Sequence, residues 1–423
     1  MRDRYPRLFD ALVFLAVLLG DATMLLIFTA SGFLALWRFN ASQADLAYVG
    51  AAYWLLYAPL SPLWARLGGR VGAHKVVIIS ALGVLAATLL LPLVTGLWQL
   101  VAAIALLGVA ASAMWPNIEA ELARGREGPL LRRRLTVFNV MWTCGLLVGP
   151  LLGMLIYPEE KEARGPGGRD LINVAFHTAS LLAVGMVLGL LAWRPRVPNA
   201  AEVQLHLQGD GGRDPVRLRT FWLMAFVANF MCFVVLGVVR HLYENLAAHQ
   251  WAGQQEASRR LHALLAIMAA AGAVTYAVLY FAHRWHYRLK RHLFWQVALA
   301  GGLLLVALAG ADLLWSVVGF IIIGVGASFI YSASLFYSME GKDETSHMAG
   351  WHEAVLAGGS LFGLLLTGHV PDLLSALGVE NEYWQVRSPY LAAAVIFALG
   401  IAVQWAIHAA HRRRFAPQSP LPS

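Results

Sequence analysis

Charged residues are scarce in this sequence. Of its 423 residues, 13% are charged and 59% are hydrophobic, whereas an average soluble domain has about a quarter charged residues and about half apolar ones. Apolar runs of about 20 residues, long enough to cross roughly 30 Å of hydrocarbon, recur along nearly the whole chain. The composition therefore predicts a membrane protein with no room for a large soluble domain.

Cysteine is nearly absent, and several signatures of chemistry are missing. The two cysteines, Cys144 and Cys232, lie inside apolar runs, which predicts small packed side chains rather than a disulfide or metal ligands. The nucleotide-binding pattern G-x-x-x-x-G-K-[ST] does not occur, so ATP-driven pumping has no support. His283 and His286 have no nearby cysteine or acid to complete a metal site. We therefore expect no metal, no cofactor and no enzyme activity.

Twelve apolar segments predict an all-α membrane protein. The first segment is longer than the apolar core of a signal peptide, about 7 to 15 residues, so we interpret it as a retained span. Breaks rich in charge, proline or glycine separate the segments. The predicted spans are residues 11–36, 46–65, 75–95, 98–118, 136–157, 172–193, 220–241, 261–282, 292–311, 313–336, 350–369 and 389–409.

The basic residues predict the orientation of these spans. With the N-terminus inside, 24 of the 32 Lys and Arg residues fall in cytoplasmic segments, which is the excess that the positive-inside rule describes. We expect a multi-pass protein of the cytoplasmic (inner) membrane with both termini cytoplasmic. Topology also accounts for the net charge of +8, so no nucleic acid partner is expected.

One long polar stretch, Arg194 to Arg219, divides the chain into halves. The two halves carry a similar loop: "RLGGRVGAH" contains Arg66 and Arg70, and "RWHYRLKRH" contains Arg284 and Arg288 at the same spacing. Such a repeat favours a duplicated unit. We predict two pseudo-symmetric six-helix bundles, with the region boundaries 1–193 for the first bundle, 194–219 for a cytoplasmic linker, 220–411 for the second bundle and 412–423 for a cytoplasmic tail.

Two motifs resemble signatures of the major facilitator superfamily of secondary transporters. In "SPLWARLGGR", Arg66, Gly68 and Arg70 match the loop G-x-x-x-D-R-x-G-R-R/K between helices two and three, although the first glycine, the acid and one arginine are replaced. In the fifth span, "GLLVGPLLG" matches the G-x-x-x-G-P-x-x-G core that is typical of the family's antiporters. The matching residues there are Gly145, Gly149, Pro150 and Gly153. Glycines four apart let another helix approach closely, and the proline permits a bend.

The resemblance implies a secondary transporter that works by alternating access around a site near the membrane midplane. We expect its partners to be a small organic molecule, protons and the lipid bilayer, and the chain to act as a monomer. The glycine and proline core favours export in exchange for protons, with uptake as the alternative. The alternative is a relative that transports nothing and serves as a sensor or a membrane assembly factor.

Acidic residues inside spans are expensive and are candidates for function. Asp21 lies near the middle of the first span. It either binds a proton or a cationic substrate, or forms bonds with neighbouring helices. His352 and Glu353 begin the eleventh span as "GWHEAVLAGG" and project about 100° apart on a helix. They serve coupling or gating, or Glu353 is an interfacial acid favoured by the helix dipole.

Other polar residues have predicted places in the same framework. Glu119 and Glu121 are expected to pair with the nearby arginine cluster, and Arg240 to lie at the outer end of the seventh span, where its side chain can reach the interface. Polar and aromatic residues of the helices expected to line the cavity are Trp115, Asn117, Asn139, Trp142, Asn229, Ser328 and Tyr331.

The basic loops are interpreted as a cytoplasmic gate. Arg66 and Arg70 are predicted to bond helix ends or carboxylates across the halves, with Arg284 and Arg288 as their counterparts. Gly68, with its neighbour Gly69, is predicted to permit the tight turn. Charge that only sets the topology is the alternative reading of the same loops.

Overall fold

The regular structure of the described residues is entirely helical. The computed structural model describes residues 6–124, 126, 128–157, 167–193, 215–251, 257–282, 286–310, 312–340 and 345–414. These residues form a short 3-10 turn at Leu91–Leu93 and fifteen α-helices. The helices are α1 (Pro6–Arg38), α2 (Gln43–Val71), α3 (Ala73–Leu90), α4 (Leu97–Ala111), α5 (Trp115–Ala123), α6 (Gly128–Ile156), α7 (Gly168–Ala192), α8 (Pro215–His241), α9 (Tyr243–Gln250), α10 (Ala257–Phe281), α11 (Leu289–Leu308), α12 (Leu313–Met339), α13 (Thr345–Gly368), α14 (Val370–Ala376) and α15 (Glu382–Arg414).

Eleven helical segments of the described chain are long and apolar enough to cross a membrane. Helix α2 is not one of them, although it has 29 residues, because Pro59, Pro62 and several Tyr and Trp residues lower its hydropathy. Each of the twelve predicted segments overlaps a helix over most of its described length, and several run a few residues past the helix end. A count of twelve membrane spans therefore depends on α2.

The outer surface of the bundle fits a lipid environment. Large apolar side chains cover this surface, and Leu155, Leu181 and Phe281 are each more than 70% exposed. Exposing so many apolar side chains to water would be unfavourable. Lipid removes that penalty, and helices satisfy their backbone hydrogen bonds internally, as the hydrocarbon region requires.

The fourth predicted span is two helices rather than one. Helix α4 ends at Ala111 and α5 begins at Trp115, with a turn at residues 112–114 between them. Pro116 explains the break, because it cannot donate a hydrogen bond to the carbonyl of Ser112 and its ring crowds that carbonyl. The turn re-aims α5, whose residues are all buried.

Two antiparallel helix pairs join the N-terminal part of the chain (residues 6–193) to the C-terminal part (residues 215–414). In the pair α2 and α13, Gly350 lies against Pro62 at one end and Gly368 lies against Ala47 at the other. We call the first end, where Arg66 lies, the Arg66 end and the other the Glu244 end. The two helices therefore touch along their whole length.

The pair α6 and α10 is closed in the same way. Arg133 lies over the ring of Tyr280 at 5.8 Å near the Arg66 end, and Gly153 faces His262 near the Glu244 end. Together the two pairs close the bundle at both ends.

The turn between α2 and α3 differs from the prediction. Gly68 and Gly69 lie inside α2, and the turn is made by Gly72, whose φ of 102° is readily adopted only by glycine. Position 68 requires glycine for a different reason. A Cβ there would collide with the side-chain oxygen of Asn117. Its role is close packing of α2 on α5.

The glycines of α6 divide between two neighbours. Gly145 and Gly149 face α1, where a Cβ on Gly145 would collide with the Leu18 carbonyl oxygen. Gly153 instead faces His262 of α10, and Pro150 lies inside α6. Close approach of α1 to α6 is what positions Asp21 beside the cavity described next.

Candidate functional site

A cavity with two adjoining chambers lies between the N-terminal and C-terminal parts of the chain. The first chamber is lined by α1, α2, α5, α6, α8, α12 and α13, and the second by α1, α6, α8, α10 and α12. Their volumes are about 50 Å³ and about 30 Å³, which is room for a few water molecules each. Since small-molecule pockets usually exceed roughly 300 Å³, the helices must move apart to admit an organic molecule.

Aromatic residues are prominent in the walls, above all in the first chamber. Trp142 of α6 and Tyr331 of α12 stack at 4.9 Å and border both chambers. On α2, Tyr53 and Tyr57 stack at 5.4 Å, and Phe28 of α1 meets Tyr53 edge to face at 5.0 Å. Such surfaces can stack on a flat organic solute or face a cation.

Asp21 borders the first chamber. Its residue is 4% exposed, and its Oδ2 atom has no hydrogen-bond partner among the described residues. Glycine at position 145 makes room for it, since a Cβ there would crowd Asp21 itself. The carboxyl is thus buried at the cavity wall with one oxygen free.

Arg240 does not occupy the predicted place. Its backbone is in the last turn of α8, at the Glu244 end, but its side chain borders both chambers and its guanidinium lies 6.0 Å from the ring centre of Trp142. The neighbouring His241 packs against Gly50. Arg240 is therefore the cationic group of the cavity wall rather than an interfacial side chain.

Glu119 and Glu353 come together from the two parts of the chain. The Tyr331 hydroxyl donates to Oε1 of Glu119 at 2.9 Å, and the Tyr57 hydroxyl donates to Oε2 of Glu353. Both glutamates are buried, at 0% and 3% exposure. Each acid is thus held by a tyrosine of the opposite part of the chain, and Glu353 also borders the first chamber.

These positions correct two predictions. Only Glu121 pairs with the arginine cluster, through Arg124 at 3.0 Å, while Glu119 on the opposite side of the short helix α5 accepts from Tyr331 of α12. Glu353 is not an interfacial acid, because α13 begins at Thr345 rather than at residue 350. The earlier start places Glu353 in the third turn, well inside the bundle.

His352 is fully buried next to Glu353. Its Nδ1 atom lies 3.2 Å from the Ser334 hydroxyl, and its ring centre is 5.1 Å from that of Tyr331. The Nε2 atom has no partner among the described residues. Adjacent positions on α13 therefore face different helices, His352 toward α12 and Glu353 toward α2.

The structure places four of the seven predicted lining residues at the chambers. Trp115, Trp142, Ser328 and Tyr331 border the chambers. The three asparagines do not: Asn117 donates to the Ala113 carbonyl at 2.8 Å, and Asn139 and Asn229 are buried between helices. The lining residues that sequence reasoning missed are Tyr53, Tyr57, Tyr276 and Arg240. The aromatic run "YWLLY" in α2 is the signal from which the first two could have been predicted.

The described members of the predicted gate lie at the Arg66 end. The Arg66 Nε atom is 3.4 Å from Nδ1 of His347 in α13, so its neighbour across the interface is a histidine rather than a carboxylate. A surface opening at this end is lined by Arg66, Arg70, Arg124 and His347. Arg288 is exposed just before α11, and Arg284 lies outside the described residues.

Comparisons with known proteins agree on one family. A model of the Major Facilitator Superfamily matches residues 12–364. Multidrug resistance protein MdtG of Citrobacter koseri is 31% identical over 159 residues, which covers 36% of this chain and 36% of that protein. The matched region thus spans about a third of the relative's length.

Solved transporters share the fold. The human organic anion transporter MFSD10 (TETRAN) has a TM-score of 0.64 at 14% identity, covering 93% of this chain and 98% of that one. A mutant of nucleoside transporter NupG has a TM-score of 0.66 at 13% identity, with 94% and 99% covered. A bacterial homologue of the human lysosomal transporter Spinster has a TM-score of 0.67 at 14% identity, with 97% and 99% covered.

Proposed function

We propose, since this chain belongs to the Major Facilitator Superfamily, that it is a secondary active transporter of a small organic solute, coupled to protons and working as an exporter. In this proposal α2 is a twelfth span beside the eleven apolar segments. Residues 1–193 and 220–411 form two six-helix bundles joined by the linker 194–219. The protein lies in the cytoplasmic membrane with both termini inside, works as a monomer and is not an enzyme.

The observation that carries the proposal is the buried cavity between two parts of the chain that touch at both ends. Pairs α2 and α13, and α6 and α10, meet near Gly350 and Tyr280 at one end and near Gly368 and His262 at the other. Parting the contacts at one end while keeping those at the other would open the cavity to one side only. That is the geometry that alternating access requires.

The cavity wall supports an organic substrate. Aromatic rings line much of the first chamber, and Asp21 and Arg240 supply opposite charges to it. A solute with a flat apolar body and one polar group would match this lining. The name of the partial relative MdtG, a multidrug resistance protein, supports the same class of substrate.

Asp21 and Glu353 are the proposed sites of proton coupling, with His352 packed behind Glu353. Both acids border the first chamber, so a proton bound there and a solute in the cavity affect one another directly. A carboxyl that releases its proton when the cavity opens to one side, and takes one up from the other, links the two fluxes. Export is supported by the glycine and proline core of α6.

Transport in proteoliposomes tests the proposal. Purified protein is reconstituted with an imposed pH gradient, and the flux of a chemically diverse panel of labelled aromatic solutes is measured. We expect gradient-dependent flux for at least one solute, and we expect Asp21→Asn to remove its pH dependence. Asp170→Asn is the matched control, because Asp170 is exposed in the first turn of α7.

Two outcomes would count against the proposal. Full pH-dependent flux in Asp21→Asn would show that this acid does not couple transport. An absence of flux for every solute, together with copurification of a membrane partner, would favour the sensor or assembly factor.

A further inference from the structure

We propose that Glu119, His352 and Glu353 bind one divalent transition-metal cation between the two parts of the chain. The inference goes beyond transport and does not depend on it, because metal binding can be measured on the isolated protein. No metal was expected from the sequence. Glu119 is far from His352 and Glu353 in the chain, so no local pattern indicates this cluster.

The first support is convergence of ligand atoms. One carboxylate oxygen from each glutamate and one ring nitrogen of His352 lie within 4.8 Å of one another. Atoms that share a metal at about 2.0 to 2.2 Å lie roughly 3 to 4 Å apart. A shift of about 1 Å in the side chains would therefore close this set around a cation.

The second support is that a hydroxyl group holds each of the three side chains from outside. Tyr331 donates to Glu119, Tyr57 donates to Glu353, and the Ser334 hydroxyl meets Nδ1 of His352. Metal-binding residues are usually oriented by outer hydrogen bonds of this kind. Each glutamate keeps its second carboxylate oxygen, and His352 keeps its Nε2 atom, outside these three contacts.

The third support is a pair of buried atoms, one on Glu119 and one on His352, that the hydroxyl groups do not bind. Nε2 of His352 is buried and has no hydrogen-bond partner among the described residues. Oε2 of Glu119 is buried and meets no donor among the same residues, although the Glu119 and Glu353 carboxyls can share one hydrogen bond when one of them carries a proton. With the hydrogen on Nδ1 donated to Ser334, Nε2 of the neutral ring presents its lone pair. Buried polar atoms without partners are costly, and a shared cation would satisfy both.

Charge selects the class of cation. Two carboxylates in a site with little water need two positive charges, which two protons or one divalent cation can supply. One imidazole and two carboxylates, without thiolates, suit Mn²⁺, Fe²⁺ or Zn²⁺, whereas Mg²⁺ prefers oxygen ligands alone. Because α5 supplies one ligand and α13 supplies two, the cation would tie the two parts of the chain together.

Calorimetric titration of the purified protein after chelator treatment tests the inference. We expect one equivalent of Zn²⁺ or Mn²⁺ to bind saturably and Mg²⁺ to bind much more weakly. Protons compete with the cation for the two carboxylates, so the affinity should fall as the pH is lowered, by up to about 100-fold per pH unit where binding displaces a proton from each carboxyl. Bound metal should also raise the thermal midpoint of the protein.

Variants assign the binding to this cluster. His352→Ala should weaken Zn²⁺ binding at least 10-fold, and Ser334→Ala, which removes only the outer hydroxyl, by roughly 10-fold to 100-fold. His177→Ala is the control for adventitious binding, because His177 is exposed on α7, and its affinity should equal that of the unmodified protein.

Three results would overturn the inference. They are an absence of saturable binding, unchanged affinity in His352→Ala, and a loss of affinity in His177→Ala as large as that in His352→Ala. If His352→Ala does not fold, the Mn²⁺ electron spin resonance signal of the folded Ser334→Ala variant decides instead, and a signal identical to that of the unmodified protein counts against the site. Failure of metal binding leaves the transport assay unaffected, so the two proposals fail separately.

Discussion

Glu244 predicts a pH dependence at the end of the bundle opposite Arg66. This residue lies in α9, between membrane-spanning segments, and is 1% exposed. Its carboxylate packs against Gly32 of α1, and neither oxygen has a partner among the described residues. Glu244 interacts electrostatically with Tyr157 and Tyr390, and neither supplies a positive charge. Burial therefore raises the pKa of Glu244 from 4.5 to about 8.

The sign of the effect follows from this raised pKa. Below about pH 4.5 the carboxyl is neutral in the closed bundle and in the open or unfolded chain, so its burial carries no charge penalty. As the pH rises toward 8, the open chain loses the proton while the closed bundle keeps it, and closure becomes less favourable. The change from 4.5 to about 8 corresponds to an upper limit of roughly 5 kcal/mol.

The perturbation is Glu244→Gln, which keeps the shape of the neutral acid at every pH. We expect the thermal midpoint of Glu244→Gln in detergent to match that of the unmodified protein at pH 5 and to exceed it by several degrees at pH 9. The upper limit of the difference is about 10 °C if 1 kcal/mol shifts the midpoint by about 2 °C. The control is Glu380→Gln, which removes an exposed acid between α14 and α15.

The pH dependence of the difference in thermal midpoint tests this reasoning. A difference between Glu244→Gln and the unmodified protein that stays constant from pH 5 to pH 9 would refute the reasoning. So would an equal pH-dependent difference in Glu380→Gln, since that side chain already meets water.

Three further predictions concern single contacts. Gly145→Ala should lower the thermal midpoint, because its Cβ would strike the Leu18 carbonyl oxygen, whereas Gly301→Ala has open space around it and should raise stability by up to about 1 kcal/mol; equal effects would contradict the packing of α1 on α6. Ser42→Ala should reduce stability by about 1 kcal/mol, because Ser42 and Asp45 form a capping box at the start of α2, and Ser42→Thr should restore most of it in the same melting assay. Arg66→Lys should slow transport in proteoliposomes at unchanged expression, because lysine cannot reproduce the contact of the Arg66 Nε atom with His347; an unchanged rate would leave topology as the sufficient role of this charge.

The sequence by itself determined where the helices lie and which acid to suspect first. Apolar runs predict spans because lipid offers no hydrogen bonds to the backbone, so each run must satisfy its own as a helix. Asp21 stood out for the same reason, as a carboxyl in the middle of such a run. These inferences are local, since they depend on neighbours within about 20 residues.

Only the tertiary structure decided which side chains meet. Tyr57 and Glu353 are 296 positions apart, and Tyr331 and Glu119 are 212 apart, so no local pattern pairs them. The break before Pro116 re-aimed α5, which carries Glu119 to Tyr331, and the Arg240 side chain reaches back from the last turn of α8 to the cavity. Spacing along a helix shows which residues share a face, but the partner of that face is set by how the helices pack.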